Sequence, residues 1–478
     1  MTITSDTAIR PALDAIKAAV GPQGFIAEAA AMAPFLIEER GLYRGAARAV
    51  VRPAATEEVA AVVRICAGAQ IPIVPQGGNT GLVGGAVPPE EGGAIVLSLG
   101  RMNRVRAIDA IDHTITVETG CILAEVQRAA AEADRLFPLS LGAEGSCQIG
   151  GNLATNAGGI AVLRYGSMRD LTLGIEVVLP DGEVWDGLRA LRKDNTGYDL
   201  KQLFIGSEGT LGVITAATLK LFPRPREIET AFLGLARIED AMALFARARA
   251  ASGDQLTAFE LIPRLGLEMA MRHMPGVADP LASPHRWHVL LEVSSSQAGS
   301  GLRAALEAFL ESAMSDGLVA DGIIATSAAQ ARALWRIREG MVEGQKHEGG
   351  SIKHDVSVPV SEVAAFILAA TAAVEAALPG IRPVAFGHVG DGNVHFNLSQ
   401  PLGADTAAYL GRWGEFNHIV HDLVRHFGGS ISAEHGIGRM KRDELPRYKS
   451  ALELALMRKL KRAFDPTGLM NPGKILAN

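Results

Sequence analysis

A glycine-rich stretch, QGGNTGLVGGAVP at Gln76–Pro88, is the sequence feature that most limits how this chain can fold. Glycine has no Cβ atom, so its backbone takes positive φ easily and its N–H group can lie close to a ligand. Successive N–H groups in such a loop form a concave nest that favours phosphate oxygens. A surface turn has the same composition, and the stretch matches neither the nucleotide P-loop nor the GxGxxG pattern. Its role therefore depends on the rest of the chain.

Length and composition indicate a globular protein of more than one domain. The chain has 478 residues, of which 48% are hydrophobic and 21% charged, and this length exceeds one ordinary core. The net charge of −6 does not indicate a basic surface that would bind nucleic acid or an anionic membrane. The cysteines, Cys66, Cys121 and Cys147, lie far apart without a CxxC pattern. This excludes a disulfide scaffold, a zinc ribbon and a cysteine-ligated iron–sulfur cluster.

The N-terminus and the most apolar stretch both favour a cytoplasmic protein. The N-terminus lacks a basic start followed by an apolar run, so no signal peptide is expected. The apolar stretch Val363–Val374 is shorter than the ~20 residues that span a bilayer. It predicts a buried Ala-rich helix, and no integral membrane segment is expected.

Glycine density and proline placement divide the chain into four predicted segments of an α+β protein. Residues 1–48 are Ala-rich and predict a helical segment. Residues 49–225 hold two glycine-rich segments, and they end at Phe222-Pro223-Arg224-Pro225, where prolines stop a strand. Residues 226–425 alternate strands and helices, which predicts an antiparallel sheet with helices on one face. Residues 426–478 hold a short strand, a glycine loop and a basic helix.

The stretch FGHVGDGNVHFN, Phe386–Asn397, predicts a hairpin with two histidines on one face. Asp391-Gly392 is a preferred two-residue turn, and a hairpin centred there pairs His388 with His395. Directly opposed residues share a face, with Cβ atoms roughly 4.5–5.5 Å apart, and the alternation of side chains adds Asn397 to that face. Two imidazoles with a nearby amide suit a metal site or an anion site.

A third ligand is available in SAEHGIG, where Glu434 and His435 follow a predicted short strand. Two histidines and one carboxylate, with open positions, suit Zn²⁺ or another divalent first-row metal. In the alternative, the two histidines only satisfy each other or the backbone, and Glu434 is solvated. The combination favours the metal site.

Arg338, on a predicted helix, and Lys353, on the strand after it, are further charged candidates. An arginine on a helix usually lies on a solvated face. If both side chains converge near a metal, they form a clamp for a carboxylate, because arginine binds a carboxylate in bidentate geometry.

The order of these motifs resembles the FAD-linked oxidase family of the vanillyl-alcohol-oxidase type, and most of all its D-2-hydroxy acid dehydrogenases, the D-2-hydroxyglutarate and D-lactate branch. The motifs fall within residues 40–476 and are PQGGNTGLVGGAVP, GAEGSCQIGGNLATNAGG, GSEGTLGVIT, HVGDGNVHFN, SAEHGIG and NPGKIL. The resemblance implies an α+β fold with a two-subdomain FAD-binding domain of the PCMH type at 49–225. It also implies an α+β cap domain with an antiparallel sheet at 226–425, which supplies the substrate site, and a C-terminal segment, 426–478, that returns to the FAD-binding domain.

The resemblance implies that FAD lies with its pyrophosphate on the first glycine loop. The residues that match cofactor contacts are Pro75, Gly77, Gly78, Asn79, Thr80, Gly81, Gly84, Pro138, Gly142, Gly145, Thr155, Gly159, Gly212, Ile214 and Asn471. Some relatives attach FAD covalently through a histidine in this loop. No His, Cys or Tyr lies between Gln76 and Pro88, so we expect non-covalent FAD.

Matching the hydroxyglutarate branch residue by residue gives the remaining roles, namely metal ligands His388, His395 and Glu434, catalytic base His435, and substrate-binding Arg338, Lys353 and Asn397. The chain departs from that branch at Val342, where the branch implies a hydroxyl side chain. Valine removes a hydrogen bond to a polar substrate tail, which makes a shorter or less polar D-2-hydroxy acid credible beside hydroxyglutarate.

The resemblance implies FAD-dependent oxidation of a D-2-hydroxy acid to the 2-oxo acid, by hydride transfer to flavin N5 with a divalent metal, Zn²⁺ being expected. The implied partners are the hydroxy acid and an electron acceptor, which is a flavoprotein carrier, a quinone, a cytochrome or oxygen; a homodimer is compatible with the sequence. Three alternatives stay open. They are a metal-dependent hydrolase without flavin, a non-redox FAD enzyme of the same fold such as an ether-lipid synthase, and a flavin-binding protein without catalysis.

Overall fold

The computed structural model describes residues 6–477. The helices are α1 Asp6–Val20, α2 Ala29–Met32, α3 Thr56–Ala69, α4 Leu123–Glu132, α5 Ile149–Thr155, α6 Val162–Tyr165, α7 Met168–Leu171, α8 Lys201–Phe204, α9 Ile238–Ser252, α10 Arg264–His273, α11 Leu302–Ser315, α12 Ala328–Lys346, α13 Val363–Ala377, α14 Thr406–Leu410, α15 Trp413–His426, α16 Leu445–Tyr448 and α17 Ala451–Phe464. The strands are β1 Phe25–Ile26, β2 Val50–Val51, β3 Ile73–Gln76, β4 Ile95–Ser98, β5 Val105–Asp109, β6 Thr114–Glu118, β7 Arg135–Leu136, β8 Thr172–Val178, β9 Val184–Gly187, β10 Val213–Lys220, β11 Phe222–Pro223, β12 Glu227–Leu235, β13 Leu256–Pro263, β14 Trp287–Ser295, β15 Asp321–Ile324, β16 Ser351–Ile352, β17 Asp355–Ser357, β18 Arg382–Phe386 and β19 Asn393–Ser399.

The chain divides into two compact units. Unit 1 comprises Met1–Gly158, Ser167–Arg224 and His435–Asn478, and unit 2 comprises Gly159–Gly166 and Pro225–Glu434. Residues 1–5 of the predicted N-terminal segment and residue 478 of the predicted C-terminal segment lie outside the described residues. The four functional segments inferred from the sequence remain a prediction.

Unit 1 contains two larger sheets whose strand ends carry predicted cofactor residues. The first sheet has the order β1-β2-β4-β3, with β2 and β3 parallel to β4. The second is antiparallel, with the order β5-β6-β10-β8-β9. Strand β3 ends at Gln76, where the first glycine loop begins, and β10 begins at Val213, directly after Gly212. Apolar residues of α1, α3, β3 and β4 share one buried core, so the sheet holds the start of the loop firmly.

The predicted helical segment at 1–48 is only partly helical. It holds α1 and α2, but Pro22 and Pro34 lie in short 3-10 helices. Between them, β1 pairs antiparallel with β2. Proline supplies no N–H for a continuing helix, and the chain between the two prolines instead joins the edge of the first sheet.

Unit 2 is built on an antiparallel sheet of order β13-β14-β12-β15, as the predicted antiparallel cap sheet requires. The expectation of helices on one face is wrong, because helices cover both. Leu290 of β14 belongs to a core with residues of α10 and α12. Its neighbour Leu291, which points to the other face, lines a pocket with residues of α9 and α11. Both faces of β14 are apolar because both are buried.

A second sheet of unit 2 contains the histidine hairpin, and its register differs from the predicted one. Strands β18 and β19 pair Phe386 with His395 and Val384 with Asn397. Gly387, at φ 140°, turns away from the hairpin and pairs with Leu261 of β13. Of the two predicted turn residues only Gly392 has positive φ, whereas the predicted turn needs it at both. The connection is therefore a wider loop that carries His388. The predicted strand before Glu434 is likewise reduced to one bridge, between Ser357 and Ser430.

One stretch of the described residues is long and apolar enough to cross a membrane by length and composition alone. It is Val360–Ala377, with a mean hydropathy of 1.6. It includes α13, whose Phe366, Ile367, Ala370 and Val374 are buried within the unit. A core helix has the same composition, so the stretch gives only weak evidence of a membrane span.

We predict that Leu290→Ala lowers the free energy of unfolding of unit 2 by about 2–5 kcal/mol, because it removes a fully buried side chain and leaves a cavity. Leu402→Ala is the control, since Leu402 is 81% exposed, and it should change stability by less than about 0.5 kcal/mol. Denaturant titration followed by circular dichroism measures both. Equal losses for the two variants would contradict the assigned core.

Candidate active site

The first glycine loop of unit 1 packs against the second glycine-rich segment. A Cβ atom on Gly78 would lie 2.2 Å from the carbonyl oxygen of Ser146, and one on Gly77 would lie 3.3 Å from the backbone nitrogen of Gly151. Only glycine therefore fits at position 78. The two segments, which are far apart in sequence, meet because each presents bare backbone to the other.

Asn471 fixes the C-terminal tail to the same place. Its Nδ2 donates to the carbonyl oxygens of Gly85 (3.0 Å) and Glu208 (2.7 Å), and its backbone N–H donates to the carbonyl oxygen of Ile73 (2.8 Å). The first glycine loop, the GSEGT turn and the NPGKIL tail thus converge in unit 1. A cofactor bound there would contact all three segments.

Several glycines in this region are not required by the protein's own packing. Within the described residues, a Cβ atom on Gly81, Gly142, Gly145 or Gly151 would meet nothing within 4 Å, and none of the four has positive φ. Open space beside bare backbone is what a closely bound phosphate requires.

Buried amide oxygens at the same place also lack partners. The side-chain oxygens of Gln148, Asn152 and Asn471 have no hydrogen-bond partner within the described part of the chain. Buried polar atoms are nearly always hydrogen-bonded, so a bound ligand or water has to satisfy them. The region therefore fits a large cofactor with both phosphate and hydrogen-bond donors, as FAD has.

The predicted cofactor residues fall in six places of the fold. Pro75 lies in β3; Gly77, Gly78, Asn79, Thr80, Gly81 and Gly84 lie in the loop after it; Pro138, Gly142 and Gly145 lie between β7 and α5; Thr155 ends α5; Gly212 and Ile214 lie at the start of β10; and Asn471 lies in the tail. Gly159 is the exception, because it belongs to unit 2.

The histidine pair and Glu434 of unit 2 lie close together. Ligand atoms of His388, His395 and Glu434 lie within 4.8 Å of one another, with His388 Nε2 at 3.9 Å from Glu434 Oε1. The two imidazole rings are perpendicular, with centroids 5.6 Å apart. The histidines meet as expected, although His388 reaches the site from a loop and not from a paired strand.

Glu260 is a residue of this site that the motifs did not reveal. It lies in β13, is fully buried, and bonds two predicted site residues at once. Its Oε1 lies 2.5 Å from Nδ1 of His388, and its Oε2 accepts from Nε of Arg338 at 2.7 Å. Burial raises the pKa of Glu260, but the charges of His388 and Arg338 outweigh this and hold it low. The signal for it in the sequence is a single charge in the mostly apolar strand LTAFELIP.

Asp355 of β17 lies beside the other two ligands. Its Oδ2 accepts the backbone N–H of Glu434 at 3.0 Å, and its Oδ1 lies 3.8 Å from Nδ1 of His395. Each of the three candidate ligands therefore has a carboxylate behind it or beside it. Metal-binding histidines usually have such partners, which fix the orientation of the ring.

The negative charge around Glu434 favours a bound cation. Burial raises the pKa of Glu434 to about 7, against the lowering effect of His388, and the neighbouring carboxylates Asp355, Asp391 and Glu260 raise it further. Burial also raises the pKa of Asp391, to about 6. In a tetrahedral site with bonds of about 2.0–2.1 Å, ligand atoms lie roughly 3.4 Å apart. The three ligand atoms lie within 4.8 Å of one another, and the chemistry of the donor set, two imidazoles and a carboxylate, fits Zn²⁺ or a similar ion.

The predicted substrate-binding residues lie on α12, in β19 and in the segment between β16 and β17, so Lys353 is not on a strand as predicted. Arg338 stacks over the ring of Phe386, with 4.6 Å from guanidinium carbon to ring centroid. Glu260 bonds only its Nε, so its two terminal amino groups have no hydrogen-bond partner in the described residues. Val342 packs against the core of unit 2. Lys353 is half-buried between β16 and β17, and Asn397 is buried in β19.

His435, the predicted base, is the first residue of the C-terminal segment of unit 1. Glu208 binds the backbone of this segment directly after His435. The carboxylate of Glu208 accepts the backbone N–H groups of Ile437 and Gly438, each at 2.7 Å. Burial raises the pKa of Glu208 to about 6, against these two hydrogen bonds. This second buried glutamate also went unpredicted, because the hydrogen bonds that define its role are to backbone atoms.

We predict that Gly81→Ala weakens FAD binding, because the new methyl group enters the space beside the loop, while the apoprotein keeps its stability. The control is Gly68→Ala on α3, where a Cβ atom also meets nothing within 4 Å and alanine favours the helix by roughly 1 kcal/mol. FAD titration of apoprotein, followed by fluorescence quenching, measures both. Unchanged FAD affinity in Gly81→Ala would contradict the assignment of the first glycine loop as an FAD-binding segment.

Comparisons with known proteins agree with this geometry. Residues 47–187 match the family model described as FAD binding domain, and residues 224–475 match FAD linked oxidases, C-terminal domain. The chain is 41% identical over 427 residues to D-2-hydroxyglutarate dehydrogenase of Xanthomonas citri pv. viticola, covering 89% of each chain. It is 40% identical over 434 residues to the mitochondrial D-2-hydroxyglutarate dehydrogenase of Danio rerio, covering 91% of this chain and 79% of that one.

The fold itself has solved counterparts. A structure of p-cresol methylhydroxylase with substrate bound aligns with a TM-score of 0.74 over 99% of this chain and 97% of that chain, at 17% identity. This likeness confirms the predicted fold class, an α+β protein of the PCMH type. The predicted enzyme class, an FAD-dependent 2-hydroxy acid dehydrogenase, is confirmed at the level of family and relatives. The chain belongs to the FAD-linked oxidase family of the vanillyl-alcohol-oxidase type.

Proposed function

We propose that this protein oxidises a D-2-hydroxy acid, D-2-hydroxyglutarate or a close analogue, to the 2-oxo acid, with non-covalent FAD and a divalent metal. The observation that carries the proposal is the cluster of His388, His395 and Glu434, with His435 next in the chain. Relatives that bear the name D-2-hydroxyglutarate dehydrogenase support the substrate class.

Each part of the site has a definite task in this proposal. When bound, FAD supplies a two-electron acceptor, and a divalent ion held by the two histidines and Glu434 polarises the substrate's oxygen atoms. His435 takes the proton of the substrate hydroxyl, since imidazole titrates near neutral pH. The terminal amino groups of Arg338 bind a substrate carboxylate and, with Lys353, fix which face of the C2 carbon reacts.

Glu260 keeps two of these residues in their working orientation. Its bond to Nδ1 of His388 directs Nε2 towards Glu434, which is the nitrogen a metal would use. Its bond to Nε of Arg338 leaves the two terminal amino groups of the guanidinium without a hydrogen-bond partner among the described residues. One buried carboxylate therefore links the metal site to the carboxylate clamp.

The family membership separates this proposal from the flavin-free alternative. A metal-dependent hydrolase would have no use for an FAD-binding domain, which spans residues 47–187. The ionic set on unit 2 likewise argues for catalysis over simple flavin storage, because burying the ion pair of Glu260 and Arg338 costs desolvation free energy and flavin binding in unit 1 does not require it.

We expect the purified holoenzyme to lose its visible flavin absorbance when mixed anaerobically with a D-2-hydroxy acid, and to keep it with the L-enantiomer. His435→Asn should slow flavin reduction by about 10²- to 10⁴-fold, the usual contribution of a positioned base. Stopped-flow absorbance measures both. Normal reduction in His435→Asn would contradict the role of His435, and equal bleaching by both enantiomers would contradict the stereochemistry.

We expect prolonged dialysis against a chelator to remove the metal and the activity together, and added Zn²⁺ to restore both. His388→Ala should purify with less than a tenth of the wild-type metal content, because one of three protein ligands is lost. His418→Ala is the control, since His418 lies exposed on α15. Elemental analysis gives the metal content. A metal-free and fully active enzyme would contradict this part of the proposal.

A further inference from the structure

The carboxylate of Glu208 is enclosed by the backbone of the segment that begins at His435. Its Oε1 accepts the N–H of Ile437 and its Oε2 accepts the N–H of Gly438, each at 2.7 Å. A Cβ atom on Gly436, which has a φ of 81°, would lie 2.7 Å from Oε1. The backbone directly after His435 therefore wraps closely around one side chain, and a side chain at position 436 would displace the carboxylate.

Glu208 is itself held by the segments that form the candidate FAD-binding region. Its backbone N–H donates to the carbonyl oxygen of Ala154, near the end of α5, at 2.8 Å, and its carbonyl oxygen accepts from Nδ2 of Asn471 at 2.7 Å. Its Oε2 lies beside Gly85 of the first glycine loop, where a Cβ atom would be 3.5 Å away. One residue therefore connects three of the candidate FAD-binding segments to the backbone that follows His435.

The backbone conformation of Glu208 indicates that this position is kept for its carboxylate. Glu208 has a φ of 51°, in the left-handed region that is uncommon for residues other than glycine. It lies between Gly206 and Gly209, which also have positive φ. A third glycine in this turn would relieve the strain, but it would remove the acceptor of two backbone N–H groups. Strained residues of this kind cluster at functional sites.

A carboxylate suits this position better than an amide does. It offers two oxygen atoms to two N–H groups, whereas an amide offers one oxygen atom and turns its own N–H groups towards the second donor. Burial raises the pKa of Glu208, and the positive charges of Lys441 and Lys474, themselves buried, act against this and favour the ionised form. Hydrogen bonds from backbone N–H groups to an ionised acceptor are short and strong, so they hold this segment firmly.

We propose that Glu208 is a positioning residue for the base, because its carboxylate fixes the backbone of residues 436–438 to the candidate FAD-binding segments and thereby holds the imidazole of His435 in one place relative to them. This inference rests on the proposed function, in which His435 takes the proton of the substrate hydroxyl, and deepens it. The effect of Glu208 on the reaction then passes through His435.

A purely structural role for Glu208 predicts a different outcome. If Glu208 only stabilises unit 1 or shapes its FAD-binding region, its replacement lowers stability or FAD affinity, and it slows the reaction whether or not His435 is present. If Glu208 positions His435, its replacement slows flavin reduction while FAD binding is kept, and it has no further effect once the imidazole is gone. A double-mutant cycle separates the two roles.

The test measures anaerobic flavin reduction by D-2-hydroxyglutarate in the holoenzymes of wild type, Glu208→Gln, His435→Asn and the double variant. We expect the limiting rate of Glu208→Gln to fall about tenfold to a hundredfold, the size of loss that follows when a catalytic group is misplaced by about 1 Å. In the His435→Asn background the same change should alter the rate by less than about twofold. The melting temperature and the FAD dissociation constant of Glu208→Gln should match those of wild type.

A second variant and a matched control accompany this cycle. Glu208→Asp keeps the charge but is one methylene shorter, so it cannot reach both N–H groups and its rate should also fall; aspartate adopts positive φ more readily than most residues, so the variant should fold. Glu90→Gln is the control, because Glu90 pairs with Arg439 of the same C-terminal segment at an exposed position, with 3.0 Å between the charged atoms. An exposed ion pair contributes little, so this variant should keep the wild-type rate.

Amide hydrogen exchange gives a measurement that does not depend on turnover. Mass spectrometry of peptides that cover residues 435–440 reports how firmly this backbone is held. We expect exchange at Ile437 and Gly438 to be faster in both Glu208 variants than in wild type, and unchanged in Glu90→Gln.

A rate loss from Glu208→Gln that is equally large with and without His435, or wild-type rates in both Glu208 variants, would overturn the inference. If His435→Asn alone keeps the wild-type rate, the proposed role of His435 fails, and with it the catalytic consequence assigned to Glu208. Unchanged amide exchange in both Glu208 variants would separately overturn the claim that Glu208 fixes this segment.

Discussion

The site of unit 2 depends on the two hydrogen bonds made by the buried carboxylate of Glu260. It is bonded to Nδ1 of His388 and to Nε of Arg338, and it has no exposure to solvent. A buried charge is tolerated only when it is paired and hydrogen-bonded. Here one anion fixes two side chains from different elements, a hairpin loop and α12. The rotamers of His388 and Arg338 therefore follow from the position of β13.

The position of β13 is in turn secured by burial on both faces. Its neighbour β14 presents Leu290 to one helical layer and Leu291 to the other, so a shift of the strand would disturb close packing on both faces. Gly387 then joins the hairpin to β13 through its bridge with Leu261. The rigid sheet sets the spacing between Glu260 and His388, and the metal ligands lie within reach of one another because of it.

In unit 1 the corresponding constraint is the close approach of backbone segments that only glycine permits. Gly78 allows the first glycine loop to touch Ser146, and Asn471 fastens the tail to the same loop. These contacts are short-range and intolerant of a Cβ atom, whereas the open space beside Gly81 remains available to a ligand. A loop that packs closely at Gly78 and leaves space at Gly81 is suited to binding a cofactor. Glu208 extends this arrangement to the backbone that follows His435.

The sequence alone determined the α+β class, the FAD family and the residue types of the site, because glycine loops and the His, Glu and Arg motifs are local chemical patterns. It did not determine the hairpin register, since an Asp-Gly pair permits the tight turn but Gly387 is drawn to β13 by a tertiary contact. It also missed Glu260, whose partners are 78 and 128 residues away. Only the tertiary structure decides such cases, because burial and long-range hydrogen bonds are properties of the packed chain and not of any segment of it.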